Sequence, residues 1–293
     1  MKRTPALTLL VLTALAALAV SGCAPQATEQ PAAADAASVT ESDVVYREVD
    51  GEKLGLDACL PPDADSPSPA VILLHGGGFV EGNRSSSGMA QLCTWLASHG
   101  YAAFPVSYRL VPDFVYPSQV EDVAAAVEFL RANADRFAID PARIGALGSS
   151  AGAIIALQAA TAGDGALDAG SRLGAVVSLS GVADMSPAAV DLGEPSEEAM
   201  ALMLAYLGCS DIATCDGAAA SPVTNLDPSD PPTLLVTSKH DLVPVEQAET
   251  MDAALTEQGI PHELIVLLGD GHGAQLMTPR VQTAILQFLD SSL

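Results

Sequence analysis

The sequence has few basic residues. Among its 293 residues, 12 lysines and arginines stand against 36 aspartates and glutamates, and the formal net charge at pH 7 is −24. Phosphate backbones repel a chain this acidic, which argues against a nucleic-acid partner. The acid excess is typical of a solvated surface, and a cationic partner is the alternative reason for it.

A long apolar run is also missing. The N-terminal apolar stretch, Leu7–Val20, is shorter than the run of about 20 residues that a membrane span needs. It follows Lys2 and Arg3 and ends just before Cys23, so residues 1–22 are typical of a cleaved signal peptide. The small residues before Cys23 resemble the lipobox of bacterial lipoproteins, which implies lipidation of this cysteine. An ordinary signal peptide with an incidental cysteine is the alternative.

The segment after the leader has no hydrophobic period. Residues 23–40 are rich in alanine, proline, glutamine and threonine, which predicts a flexible tether. Leader and tether together predict export to the bacterial cell envelope, with a lipid anchor as the only contact with the membrane. Free secretion is the alternative, and no sequence feature indicates an oligomeric state.

Cysteine is sparse, and its arrangement suits an exported protein, because exported proteins fold in an oxidising compartment. Cys209 and Cys215 lie close together in a polar, turn-rich stretch, and we predict a disulfide between them. Cys93 falls within a helical pattern beside apolar residues, where a buried free thiol is expected. The sequence does not assign a partner to Cys59.

Strand and helix patterns alternate from residue 41 onward, after an initial strand pair with Asp50 and Gly51 at its turn. This order predicts one α/β domain over residues 41–293, with a mostly parallel eight-stranded sheet and helices on both faces. Residues 182–230 interrupt the alternation and predict a small cap-like insertion. The predicted strands are Val44–Val49, Lys53–Leu60, Val71–Leu74, Ala102–Tyr108, Arg143–Leu147, Ala175–Ser180, Thr233–Thr237 and Glu263–Leu268. The predicted helices are Ser87–Ser98, Val120–Ala134, Ala151–Ala162, Glu197–Leu207, Val245–Gln258 and Pro279–Leu289.

A serine nucleophile is indicated by the run Gly148-Ser149-Ser150-Ala151-Gly152, which fits the pattern G-x-S-x-G. The run lies between a predicted strand and a predicted helix, which is the strand–turn–helix that a nucleophile elbow requires. The register makes Ser150, and not Ser149, the nucleophile. A small-residue helix start with serine as its N-cap is the alternative.

A serine hydroxyl needs a base, and the base needs an acid that orients it. His272 lies between the last strand and the last helix, at the carboxyl edge of the sheet, where ligands bind in open α/β sheets. Asp241 follows the strand Thr233–Thr237 and is the predicted acid. Asp270 is its rival, and a turn or helix-capping role is the alternative for Asp241. The chain order Ser150, Asp241, His272 is that of α/β-hydrolases.

A third feature of the same edge is the run His75-Gly76-Gly77-Gly78-Phe79, directly after a buried strand. Consecutive glycines leave backbone N–H groups free to converge on an oxyanion. We predict Gly77, Gly78 and Ala151 as the donors of an oxyanion hole, and His75 as a structural hydrogen-bonding residue. A glycine-rich loop without a ligand is the alternative.

From about residue 41 the sequence resembles the α/β-hydrolase carboxylesterases of the hormone-sensitive-lipase and acetyl-xylan/feruloyl-esterase groups. The elbow Ser-Ser-Ala-Gly is closer to the second group. The chain departs from its relatives at Ser238-Lys239-His240, where they often have His-Gly, and in its short insertion. The matching segments are His75–Phe79, Val106–Val123, Ile139–Gly152, Ser221–Val223, Pro231–Gln247 and Gly269–Gly273.

This resemblance implies a serine carboxylesterase that cleaves a small-molecule ester through an acyl-enzyme on Ser150, with no metal and no organic cofactor. The short insertion at 182–230 and the bulky Phe79 favour short acyl groups, and acetyl or feruloyl esters of carbohydrates are candidate substrates. Two other classes stay open. One is a serine peptidase of the prolyl-oligopeptidase type, and the other is a binding lipoprotein without catalytic activity.

Overall fold

The computed structural model describes residues 40–62, 67–86, 88–189 and 192–293. The predicted signal peptide, Cys23 and all but the last residue of the predicted tether lie outside these residues.

The strands are β1 (Glu41–Val49), β2 (Glu52–Ala58), β3 (Ser68–Leu74), β4 (Ala102–Val106), β5 (Ile139–Ser149), β6 (Val176–Leu179), β7 (Thr233–Ser238) and β8 (His262–Leu267). The helices are α1 (Met89–Ala97), α2 (Ser118–Ala132), α3 (Ala134–Phe137), α4 (Ala151–Ala160), α5 (Glu197–Leu207), α6 (Pro222–Asn225), α7 (Val245–Gln258) and α8 (Pro279–Ser292).

All eight strands join in one sheet, in the order β1-β2-β4-β3-β5-β6-β7-β8. The first two strands form an antiparallel hairpin, and β2 also runs antiparallel to β4. The strands from β3 to β8 are parallel to one another. The predicted fold class is therefore confirmed, and the carboxyl ends of six parallel strands share one edge of the sheet.

Different helices cover the two faces of this sheet. Buried residues of α1 and α8, such as Leu96 and Ile285, pack on one face. Buried residues of α2 and α4, such as Val127 and Ile155, pack on the other face together with α7. Each such side chain contributes roughly 1.5–3 kcal/mol by its burial, so both faces of the sheet are stabilised by apolar packing.

Most predicted boundaries differ from the observed ones by a few residues, and two of these differences have a local structural reason. Strand β5 begins at Ile139 and not at Arg143, because Ile139 pairs with Ser68 at the start of β3 before the register shifts. The polar residues between the two paired stretches conceal this pairing in the sequence. Helix α1 begins at Met89 and not at Ser87, and Gly88 precedes it with a φ of 90°.

The cysteine pairing corrects one prediction. Cys93 is not a free thiol, because it forms a disulfide with Cys59, with the two Cα atoms 5.7 Å apart. Cys59 continues β2 and pairs with Ala103 of β4 through two backbone hydrogen bonds. Helix α1 packs on β4 and brings Cys93 over this position, a long-range contact that the helical pattern alone does not reveal. Both cysteines are completely buried.

Between β6 and β7, the insertion 182–230 contains α5, a short 3₁₀ turn and α6. The predicted disulfide between Cys209 and Cys215 is present, and it closes the loop after α5. Within the part of the chain that the structure describes, no helix combines the length and the apolar character that a bilayer span requires.

Candidate active site

The nucleophile position is a sharp turn between β5 and α4. Ser150 has a φ of 54°, in the left-handed region that side chains rarely adopt. Two glycines allow this turn. A Cβ atom on Gly148 would lie 2.2 Å from the carbonyl oxygen of Gly152, and one on Gly152 would lie 2.3 Å from the carbonyl oxygen of Leu74. The spacing of the motif is therefore a steric requirement of the turn that exposes Ser150.

The structure brings the three predicted catalytic residues together. His272 Nε2 lies 2.7 Å from Ser150 Oγ, and His272 Nδ1 lies 2.5 Å from Asp241 Oδ1. The serine follows β5, the aspartate follows β7 and the histidine follows β8, so parallel strand ends bring them to one edge. The rival acid, Asp270, is exposed, and it is Asp241 that contacts the imidazole. Both distances suit a hydroxyl, a base and an orienting carboxylate.

The Asp241 carboxylate is buried but well satisfied. Its Oδ1 also accepts the backbone N–H of Val243 at 3.1 Å, and its Oδ2 accepts the hydroxyls of Ser180 at 2.5 Å and Thr237 at 3.3 Å. Burial raises the pKa of Asp241, but hydrogen bonds from His272, Ser180 and Val243 outweigh it and hold this pKa below its ordinary value. The carboxylate therefore stays ionised at neutral pH and can stabilise a positively charged imidazole.

The predicted oxyanion donors flank Ser150. Gly77 and Gly78 have φ values of 119° and 59°, and a Cβ atom on Gly77 would lie 2.2 Å from the carbonyl oxygen of Glu81. Ala151 is the first residue of α4, where backbone N–H groups have no partner within the helix. Among the described residues, none accepts a hydrogen bond from the N–H groups of Gly77, Gly78 or Ala151. These donors are available to an anionic oxygen near Ser150.

His75 has contacts of a structural kind. Its ring stacks on Tyr108 with centroids 4.2 Å apart, and its Nδ1–H donates to the carbonyl oxygen of Gly76 at 2.7 Å. The Tyr108 hydroxyl donates in turn to the carbonyl oxygen of His75 at 2.7 Å. Burial lowers the pKa of His75 to about 4, so the ring is neutral at pH 7. It holds the glycine loop in place and lies apart from the Ser150–His272 pair.

Two cavities of different character meet at Ser150. The first, which we call the apolar cavity, has a volume of about 90 Å³. The second, which we call the open cleft, has a volume of about 740 Å³ and several polar side chains. Leu202 and Leu242 line both cavities beside the nucleophile. The walls of the apolar cavity include Ile154, Val182, Leu192, Met200, Met203 and Pro244. The polar side chains of the open cleft include Glu81, Asn83, Ser86 and Glu198.

The comparison with protein families agrees with this geometry. A family model described as BD-FAE matches residues 56–255. The chain belongs to the BD-FAE family. The matched region includes Ser150, Asp241 and the oxyanion glycines, and it ends before His272. The resemblance to α/β-hydrolase carboxylesterases that the sequence motifs indicate is confirmed.

Curated relatives of this BD-FAE family member are esterases. Esterase LipC of Mycobacterium tuberculosis is 30% identical over 222 residues, which are 72% of this chain and 54% of that protein. Versiconal hemiacetal acetate esterase of Dothistroma septosporum is 31% identical over 219 residues, which are 67% of this chain and 63% of that protein. The chain thus spans between about half and two thirds of the length of these relatives.

A solved structure gives the same fold. A truncated form of a carbohydrate esterase from gut microbiota superposes with a TM-score of 0.76 at 24% identity. The superposition covers 89% of this chain and 98% of the other. At this level of identity, the superposition shows that the two chains share a fold.

Helix α5 forms a fixed wall over the apolar cavity. Its only fully buried residue, Tyr206, stacks on Phe79 with ring centroids 3.9 Å apart. The Tyr206 hydroxyl donates to Gln158 Oε1 at 2.5 Å, and Gln158 Nε2 donates to the carbonyl oxygen of Ala220 at 2.6 Å. Gln158 belongs to α4, so one side chain ties α5 and the segment just before α6 to the helix that follows Ser150.

Sequence reasoning missed two of these supporting residues. Gln158 had a usable signal, because it is the one polar side chain in the otherwise apolar segment Ala151–Ala160, and buried amides need partners. Ser180 had no local signal, because its contacts lie 61 and 93 residues further along the chain.

Proposed function

We propose that this BD-FAE family member is a serine carboxylesterase that acts through an acyl-enzyme on Ser150. The observation that carries the proposal is the continuous hydrogen-bonded path from Asp241 through His272 to Ser150, at 2.5 Å and 2.7 Å. The esterase names of the curated relatives support the same reaction class.

The geometry supports the following sequence of steps. Ser150 Oγ attacks the ester carbonyl carbon while His272 Nε2 takes the hydroxyl proton, and the ionised Asp241 stabilises the resulting imidazolium. The negative carbonyl oxygen of the tetrahedral intermediate accepts hydrogen bonds from the N–H groups of Gly78 and Ala151, with Gly77 as a further donor. The imidazolium then gives its proton to the leaving alcohol, and an acyl-enzyme remains. Water attacks this ester with His272 as the base, releases the acid and regenerates Ser150.

The two cavities support a short acyl group on a larger, polar alcohol. An acyl chain gains about 0.8 kcal/mol for each methylene group that it buries, but only where an apolar space exists for it. The apolar cavity offers about 90 Å³ for this purpose, whereas the open cleft offers about 740 Å³ and carries carboxylate, amide and hydroxyl groups. We therefore assign the acyl group to the apolar cavity and the alcohol to the open cleft.

Esters of carbohydrates fit this assignment, since sugar hydroxyls can hydrogen-bond to Glu81, Asn83 and Glu198 in the open cleft. The small apolar cavity favours an acetyl group over the bulkier feruloyl group. The carbohydrate-esterase and acetate-esterase names of the structural neighbour and of one relative support the same substrate class.

A panel of matched esters and amides tests this function. We expect hydrolysis of acetylated sugars and of p-nitrophenyl acetate, and much slower cleavage of the corresponding anilide. Rapid cleavage of peptide amides, with acetate esters left intact, would restore the peptidase alternative. Absence of hydrolysis of every ester and amide would favour a binding lipoprotein.

We also propose that the enzyme is exported and carries lipid on Cys23, with residues 23–40 as its tether. The positive n-region, the apolar run and the small residues before the cysteine support this proposal. A lipid anchor followed by a tether would hold the catalytic domain close to the envelope while leaving the open cleft accessible to soluble esters.

A further inference from the structure

Ser180 is a buried serine in an unfavourable backbone conformation. It directly follows β6, and 1% of its surface is exposed. Its backbone N–H donates to the carbonyl oxygen of Val236 of β7 at 2.9 Å, so the sheet fixes its position. Its φ is 63°, in a region where glycine would be accommodated at lower free energy. Residues held in such conformations cluster where the side chain serves a function.

The hydroxyl of Ser180 bridges two catalytic loops. Its single proton goes to Asp241 Oδ2 at 2.5 Å, and its oxygen accepts the backbone N–H of Gly273 at 2.8 Å. Asp241 supplies the acid of the triad, and Gly273 directly follows the base, His272. One side chain from a third strand end therefore contacts both the carboxylate and the backbone beside the imidazole.

The loop of the base has little freedom to compensate for the loss of this contact. A Cβ atom on Gly273 would lie 2.5 Å from Ser149 Oγ, so the backbone packs closely against the nucleophile elbow. On the side of the acid, the remaining hydroxyl on Oδ2 is that of Thr237, at the longer distance of 3.3 Å. Ser180 is thus the closest hydroxyl that determines the orientation of the Asp241 carboxylate.

We propose that Ser180 is a positioning residue whose hydroxyl holds the Asp241 carboxylate and the His272 loop in one arrangement, so that the imidazole stays aligned with Ser150. This inference rests on the proposed function, because it assigns Ser180 a role in activating the nucleophile of that reaction. A role of this kind concerns the rate of the chemical step and not the binding of the ester.

The test compares Ser180→Ala and Ser180→Gly with Ser178→Ala. Both Ser180 variants remove the hydroxyl, but glycine also relieves the positive φ. Ser178 lies two residues earlier on β6 and is buried to a similar extent, and among the described residues its hydroxyl has no hydrogen bond to the triad. The measurements are the rate of fluorophosphonate labelling of Ser150, kcat and KM for p-nitrophenyl acetate, and the thermal unfolding temperature.

We expect both Ser180 variants to lose about 10- to 100-fold in labelling rate and in kcat, as befits one hydrogen bond to a charged group, with KM nearly unchanged. Ser180→Gly should be at least as stable as Ser180→Ala, yet its labelling rate and kcat should be equally low. Ser178→Ala should be labelled at the rate of the wild type. A merely structural role predicts the opposite, namely recovery of activity together with stability in Ser180→Gly.

A folded Ser180→Gly variant with the labelling rate and kcat of the wild type would overturn the inference. This result is sufficient even if Ser180→Ala fails to fold. The proposed function fails separately. A wild type that is labelled at Ser150 but hydrolyses no ester contradicts that function, while the labelling comparison still tests Ser180. A wild type that resists labelling overturns both.

Discussion

Acid should destabilise the protein through His75, at the base of the oxyanion loop. The side chain is 1% exposed, and among the described residues its Nε2 has no hydrogen-bond partner. Burial lowers the pKa of His75 from 6.5 to about 4, whereas the unfolded chain regains the ordinary value. Between these two pH values the unfolded state binds a proton that the folded state does not. The contribution of neutral His75 to the free energy of unfolding is therefore complete above pH 6.5 and is lost as the pH falls toward 4.

The size of the effect follows from the two pKa values. Their separation, from 6.5 to about 4, is worth about 3 kcal/mol in total, because each pKa unit corresponds to about 1.4 kcal/mol. At pH 4.5 most of this, about 2.5 kcal/mol, has already been lost. Other groups titrate over the same range, so only a difference between proteins isolates the contribution of His75.

Urea unfolding at pH 7 and pH 4.5 measures this difference. His75→Phe keeps a ring to stack on Tyr108 but cannot take up a proton, and His99→Gln, at an exposed position, serves as the control. Between pH 7 and pH 4.5, the free energy of unfolding of His75→Phe should fall less than that of the wild type. We expect the wild type and the control to lose about 2.5 kcal/mol more than His75→Phe does. Equal falls in all three proteins would refute the reasoning.

Four further predictions follow from the triad, the cysteines, the cavities and the leader. Asp241→Asn should lower kcat about ten-thousandfold in a folded protein, because asparagine favours the wrong imidazole tautomer, and a loss below tenfold would contradict the assigned role. Replacing both Cys59 and Cys93 by alanine should cost about 4 kcal/mol in urea unfolding, since their bond spans 34 residues, and an unchanged midpoint would contradict this. Specificity constants for p-nitrophenyl esters should fall beyond butyrate, because the apolar cavity is small, and a continued rise past octanoate would indicate a lipase. Mass spectrometry of the mature N-terminus should find lipid on Cys23, whereas an unmodified terminus at Ala24 or later would indicate free secretion.

Much of the site was predictable because its signals are local in the sequence. The glycine at position 148 reflects a steric limit within the motif itself, because a Cβ atom there would clash with Gly152, and a sequence pattern records such a limit directly. Asp241 and His272 were predictable because parallel strands end at one edge, so their places after successive strands imply proximity.

What the sequence did not reveal depends on contacts between distant segments. The disulfide between Cys59 and Cys93 requires α1 to pack over the end of β2, and the helical pattern reveals which face of α1 is apolar but not which residue it covers. The contacts of Ser180 depend on how three strand ends converge. The size of the apolar cavity depends on the position of α5, which Tyr206 anchors to Gln158. The other apolar residues of α5 are half-buried or exposed, so their sequence pattern does not indicate where the helix packs.

The most direct test of the account is to identify the acyl-enzyme. p-Nitrophenyl acetate is mixed with the enzyme, the reaction is quenched in acid within the first turnover, and the peptides are analysed by mass spectrometry. We expect an acetyl group on Ser150 in the wild type and in Ser149→Ala, and none in Ser150→Ala, with all three proteins folded. An acetyl group on Ser149, or rapid hydrolysis by Ser150→Ala, would contradict the assignment of Ser150 as the nucleophile.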